Sequence, residues 1–174
     1  GDKGIFAYGN TGSVVSLKNL VDNVGTVASD VTGVGTARRG LAAARYGSDK
    51  AVFAYGRSSG LVSLKNLVSN VGVVAADVTG VGTARIYPAA VGYGEDKAIF
   101  AFGEASSDVT GVSNLVTSVG VIGTDVSAVG TARYALGAAR YGGDKAIFGY
   151  GFLVDGSVVS MSNLVNSSGV VASD

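Results

Sequence analysis

Apolar and polar residues alternate along this chain in short runs, and glycine closes most of them. In Lys50-Ala51-Val52-Phe53-Ala54-Tyr55, Val52 and Ala54 fall on one face while Phe53 and Tyr55 fall on the other. A period of two is that of a strand, and β-branched and aromatic residues bounded by glycine strengthen the reading. The pattern predicts further strands over 62–68, over 71–77 and, past the glycine-rich turn 79–82, over 85–93. Alanine runs at 41–44 and 138–139 are short and flanked by glycine, so they read as strand rather than helix. The expected fold is all-β.

The same pattern is written four times. Asp-Lys recurs at Asp2-Lys3, Asp49-Lys50, Asp96-Lys97 and Asp144-Lys145, at offsets of 47, 47 and 48 residues. Each pair opens a D-K-x-[IV]-F-x-[YF]-G segment, ending at Gly9, Gly56, Gly103 and Gly151. Asn-Leu-Val follows at Asn19, Asn66, Asn114 and Asn163, and an Asp closes each unit eleven residues later, at Asp30, Asp77, Asp125 and Asp174. A shared Gly-Thr-Ala-Arg linker ends at Arg38, Arg85 and Arg133. The units run over 1–47, 48–94, 95–142 and 143–174. Closing Asp to next Asp-Lys is nineteen residues in every case, whereas first Gly to Asn-Leu-Val is 10, 10, 11 and 12. All length variation therefore falls at 10–13, 57–60, 104–110 and 152–156, which is the behaviour of a surface loop. Four short strands per unit of about 47 residues is the arithmetic of a β-propeller blade.

Composition removes most chemistry. The 174 residues hold no His, Cys, Trp or Gln, so no Ser-His-Asp relay, imidazole or thiolate metal site, disulfide or thiol nucleophile is available. Thirteen basic residues balance thirteen acidic ones, which gives no net field toward nucleic acid or an anionic membrane. No apolar run reaches the ~18 residues of a membrane helix.

Each recurrent residue has a structural and a sharper reading. Asp-Lys after Gly or Ser suits a tight hairpin turn; the alternative is a ring of carboxylates holding a cation, which the adjacent Lys opposes. Arg38, Arg85 and Arg133 suit ion pairs with the closing Asp30, Asp77 and Asp125 that staple one unit to the next; the alternative is an anion-binding ring. Gly33-Val34-Gly35 and its counterparts lack the full phosphate-loop fingerprint and read as turns. Tyr8, Tyr55, Phe102 and Tyr150 share one position in the repeat, and Tyr46, Tyr93 and Tyr141 another; unit-to-unit packing is favoured over a sugar-stacking platform. Asn166-Ser167-Ser168 matches a glycosylation sequon by a single short motif.

The stretch Gly130-Thr-Ala-Arg-Tyr-Ala-Leu-Gly-Ala-Ala-Arg-Tyr-Gly-Gly-Asp-Lys-Ala-Ile-Phe-Gly-Tyr-Gly151 resembles a kelch repeat. That pattern sets an Arg before an inner strand, then a tight turn, then a hydrophobic strand ending in two glycines. Here the double glycine is Tyr-Gly or Phe-Gly, and the Trp usual late in the blade is missing. The near-identical units are also similar to repeat proteins of environmental bacteriophages. The resemblance implies a propeller of kelch-like blades, with three innermost strands and four of each other kind. It further implies a tail-fibre or other virion-associated or extracellular setting, and closure of the ring by self-association or continuation of the same array.

Shared positions serve the fold, so function is expected where copies differ. Two regions differ: the loop carrying Arg57, Glu104, Phe152 and Asp155, and the residues after each linker Arg, with Arg39, Ile86, Tyr87 and Tyr134. The lone proline, Pro88, falls in the second. The expected function is a non-enzymatic structural and recognition module that needs no cofactor and displays these residues to a glycan or surface receptor. The alternatives are a hydrolase or lyase using Asp49, Asp96 and Asp144 at a channel mouth, which identical surroundings disfavour, and an amplified or designed scaffold without a ligand.

Overall fold

A computed structural model describes residues 3–106 and 108–174, so the Asp2 turn and Ser107 of the third loop lie outside the described residues. Among the described residues there are eleven strands and no helix. Strands β1 (Gly4–Asn10) and β2 (Val14–Val21) form the first sheet. The other three are antiparallel three-stranded meanders: β3 (Ala42–Tyr46), β4 (Lys50–Ala54) and β5 (Lys65–Val68); β6 (Ala89–Tyr93), β7 (Lys97–Ala101) and β8 (Ser113–Val116); β9 (Gly137–Tyr141), β10 (Lys145–Gly149) and β11 (Ser162–Val165). Both alanine runs are strand, in β3 and β9.

The turns between the first two strands of each three-stranded sheet explain their sequence. Tyr46 pairs with Lys50 across a three-residue turn in which Gly47 and Ser48 take φ of 54° and 66°. The left-handed residues are thus the two before the Asp, while Asp49 leads into the strand.

The expected outer strand, 71–77, is not formed. Val74 and Val78 make single antiparallel bridges to Val68 and Lys65, and the same two bridges recur in the first and third units. Val71 and Val73 are exposed, and a turn closed by the Ser69 hydroxyl on the Val73 amide fixes the geometry instead of a ladder. Each unit is therefore two or three strands plus a bridged outer segment.

The core lies between sheets. Val52, Ala54 and Tyr55 of the second sheet pack with Ala98, Phe100 and Val116 of the third, while Phe53 and Val68 pack back onto Ile5, Ala7 and Tyr8 of the first. Ile99, Ala101 and Phe102 in turn meet Ala146, Phe148 and Val165. The two middle sheets bury both faces, which is why their strands are apolar on both. The alternation expected of Tyr55 fails: it lies with Val52 and Ala54, not with Phe53. Its backbone is left-handed (φ 66°), as at Tyr8, Phe102 and Tyr150 (φ 65°, 62° and 63°), and that twist carries the ring to the opposite face.

Candidate functional site

The linker arginines are the most constrained side chains of the molecule. Arg38, Arg85 and Arg133 are fully buried. Arg38 donates from Nε to the Tyr55 carbonyl (3.0 Å), from Nη1 to the Thr36 carbonyl (3.2 Å) and from Nη2 to Asn66 Oδ1 (2.6 Å). Arg85 repeats the bonds to Thr83 (3.0 Å) and Asn114 (2.7 Å), and Arg133 those to Tyr150, Thr131 and Asn163. Each guanidinium also lies over an aromatic ring of the preceding sheet: Tyr8, Tyr55 and Phe102, at 4.1, 3.9 and 4.4 Å. Each Arg carbonyl accepts the amide of the glycine after that ring, Gly9, Gly56 or Gly103. One residue thus binds its own sheet by hydrogen bonds and the preceding sheet by a cation–π contact.

The closing aspartates complete this network, one unit further along than expected. Arg38 lies 3.8 Å from Asp77, not beside Asp30, and Arg133 lies 3.3 Å from Asp174. The linker enters the sheet that follows it, so its Arg meets that sheet's Asp. Asp77 also accepts the Thr36 amide (2.8 Å) and hydroxyl (2.6 Å) and the Asn66 amide (2.9 Å), and Asp125 does the same with Thr83 and Asn114. The unit-to-unit staple is the ring stack; the Asp latches the linker to its own sheet.

Burial pushes Asp77, Asp125 and Asp174 up, but the threonine and asparagine donors and the nearby guanidinium outweigh it and hold all three below the ordinary carboxylate value. A lowered folded value stabilises above the unfolded pKa of about 3.9 and is lost as pH falls through the folded value. With no His to titrate, thermal melting is expected to be flat from pH 7 to about 5 and to fall below about pH 4. Asp77→Asn should flatten that acid slope, and an equal slope in the variant would contradict the assignment.

The glycine-rich linkers are packing devices rather than phosphate loops. A Cβ at Gly33 or Gly80 would run into the backbone carbonyl of Ser16 or Ser63. In the third unit the linker carries Ala128, and the residue facing it is Gly111, where an added Cβ would crowd the Ala128 Cβ at 3.2 Å. Loss of a glycine on one side is matched by a gain on the other.

The variable positions converge. Arg39 and Arg57 exchange backbone hydrogen bonds (3.0 and 2.9 Å), as do Ile86 and Glu104 (both 2.9 Å) and Tyr134 and Phe152 (both 3.0 Å). The two regions that differ between copies are thereby zipped into one rim. Successive units join there too, through the Tyr87 amide on the Gly40 carbonyl and the Ala135 amide on the Tyr87 carbonyl. Tyr134 stacks on Phe152 at 5.6 Å and meets Tyr87 at 6.2 Å, so three rings form a partly exposed row. Arg39 reaches the Tyr87 hydroxyl, and Glu104, Asp108, Tyr134 and Val154 line a shallow depression of about 330 Å3 beside the row.

Two of the expected contact residues sit differently. Ile86 is buried, pressed against the backbone of Gly40, and offers no surface. Asp155 is exposed but accepts the Ser157 amide and hydroxyl (2.9 and 2.6 Å), which fixes its own loop. The repeated Asp-Lys pairs behave as turn residues: Asp49 accepts Lys50 Nζ at 2.9 Å, and that bond holds its carboxyl below the usual range. Asn166 caps its turn by accepting the Ser168 and Val170 amides. Among the described residues no cluster of carboxylates has metal-binding spacing.

This geometry defines a class, an all-β tandem array of small antiparallel sheets packed face to face. No family model and no curated protein matches the sequence. In backbone the chain is similar to the solved structure of YjhT, at a TM-score of 0.68 and 13% identity, covering 86% of this chain. The chain spans 49% of that structure's length. At this identity the likeness speaks to fold alone.

Proposed function

We propose that the chain is a run of kelch-like propeller blades acting as a non-enzymatic recognition module, in an extracellular or virion-associated setting such as a tail fibre. The observation that carries this reading is the rim: in each of three units one divergent residue of the first region exchanges paired backbone bonds with one of the second, Arg39 with Arg57, Ile86 with Glu104 and Tyr134 with Phe152, while the network beneath is repeated unit after unit. Inner strands β3, β6 and β9 lie beside one another in series, as blades around an axis require. Tyr87, Tyr134 and Phe152 present ring faces flanked by Arg39, Arg57 and Glu104, a combination suited to a sugar: apolar stacking on its C–H face and charged donors and acceptors for its hydroxyls.

The array's outer faces support continuation or self-association. Tyr8, Tyr55 and Phe102 each set an edge-to-face ring on the next unit's Phe53, Phe100 or Phe148. The corresponding halves at the two ends, Phe6 and Tyr150, are 65% and 67% exposed.

Glycan arrays and host-surface binding test the recognition role. Saturable binding that weakens about tenfold or more in Tyr134→Ala, with unchanged melting, is expected. Uniformly absent binding, or binding indifferent to Tyr87, Tyr134 and Phe152, would contradict it.

A further inference from the structure

A lysine spans two of the three junctions between units. Lys18 Nζ donates to the Gly72 carbonyl (3.3 Å) and Lys65 Nζ to the Gly120 carbonyl (2.9 Å), each reaching from the Asn-Leu-Val strand to a turn of the next unit. Burial pushes the Lys65 ammonium below its ordinary value, as a charge drawn between two sheets requires. At the third junction the lysine is replaced: Ser113 precedes Asn114 as Lys65 precedes Asn66. The acceptor is kept. Gly169 has the backbone of Gly120 (φ 85° and 81°), and its amide donates to the Asn166 carbonyl (2.9 Å) as that of Gly120 donates to Thr117 (2.9 Å). Both glycines are buried, yet among the described residues no donor reaches the Gly169 carbonyl. The space is also kept. A cavity of about 160 Å3 lies there, walled by Leu115, Val126, Val129 and Val171 and including Ser113 and Gly169. Leu115, Val126 and Val129 occupy the repeat positions of Leu67, Val78 and Val81, so the apolar lining of the lysine's slot persists without the lysine. An apolar cavity of about 150 Å3 is large enough to take a benzene.

We propose that this cavity between the third and fourth units binds a primary alkylammonium group on a chain of about four carbons, seated as the lysine stem is at the other two junctions. The filled junctions state the ligand's chemistry. An aliphatic stem covers the valine and leucine walls, and an N–H donates to the glycine carbonyl. Ser113 is 4% exposed, and its hydroxyl supplies a second acceptor inside the cavity. Water alone would satisfy the carbonyl but leave the walls without contacts. A quaternary ammonium has no N–H to give. The site lies apart from the rim and does not depend on how the array continues.

The test titrates n-butylammonium chloride into the whole chain, against sodium chloride of equal ionic strength, and follows backbone amides by two-dimensional NMR. Saturable shifts centred on Leu115 and Gly169 are expected, with a Kd on the order of 1 mM for so small a ligand. Tetramethylammonium chloride, equal in charge but without a donor, should move neither. Ser113→Lys supplies stem and amine covalently and should weaken butylammonium binding about tenfold or more. The converse variant, Lys65→Ser, copies the natural third junction, so it should fold and add a second set of shifts around Leu67 and Gly120. Nα-acetyl-lysine amide separates the sources: tighter binding than butylammonium assigns the slot to a lysine presented by a polypeptide, looser binding assigns it to a free amine, and both support the shared chemistry. Shifts that do not saturate, equal shifts with tetramethylammonium, binding unchanged by Ser113→Lys, or no second set in Lys65→Ser would each overturn the proposal.

Discussion

Arg85→Ala is expected to lower the stability of the folded chain by about 3–5 kcal/mol, the range for removing one partner from a buried charged network. The loss has three parts. Asn114 loses its donor in a fully buried setting and the Thr83 carbonyl in a partly buried one, where an unmet polar group is expensive. The Tyr55 ring loses the guanidinium lying 3.9 Å from its centre. The aliphatic stem leaves a void between two sheets. Arg85→Lys keeps the charge but has no planar fork to span Thr83 and Asn114 while lying flat on a ring, so it should recover only part of the loss. Urea unfolding measures both, and a change below about 1 kcal/mol for Arg85→Ala would show that the guanidinium carries no cohesion.

The second large effect is a contrast between two equivalent tyrosines. Tyr55 and Tyr150 have the same left-handed backbone, φ 66° and 63°, yet Tyr55 is fully buried and Tyr150 is 67% exposed. Glycine removes a strain of about 1–2 kcal/mol at either site but adds about 1 kcal/mol of unfolded-chain freedom. Tyr55→Gly additionally loses a core ring worth about 3–5 kcal/mol, so a net loss of about 2–5 kcal/mol is expected. Tyr150→Gly should lie within about 1 kcal/mol of the parent. Equal losses at the two sites would contradict the packing described. Burial also pushes the Tyr55 hydroxyl up to about 12, so it should stay protonated in an alkaline titration after exposed tyrosines have ionised.

Much of the fold was readable because strand pairing forbids slippage. The invariant spacings located the hairpins, and the 10-to-12 variation located the loops that form the rim. What failed did so for local reasons. Period-two alternation misplaced Tyr55 because one left-handed residue inverts the face. Residues 71–77 look like a strand in composition, but a side-chain-capped turn and a one-sided edge leave only bridges. Arg38 stands eight residues after Asp30 in sequence, and nearness suggested that pair; the linker's entry into the following sheet selected Asp77 instead. Ile86 varies between copies, yet variation there reflects packing against Gly40 rather than display. The aromatic row was named residue by residue, but its convergence rests on backbone bonds that no spacing encodes. The exchange of glycine between Gly33 or Gly80 and Gly111 was visible in the sequence as two substitutions, and only their contact shows them to be one.

The account turns on each linker arginine belonging to the sheet it enters. A double-mutant cycle between Arg85 and Asn114, with Arg85 and Asp77 as the reference pair, measures this directly. The predicted coupling is about 1–3 kcal/mol for Arg85 with Asn114 and within about 0.5 kcal/mol of zero for Arg85 with Asp77. Strong coupling to Asp77 and none to Asn114 would place the arginine in the preceding sheet and contradict the arrangement.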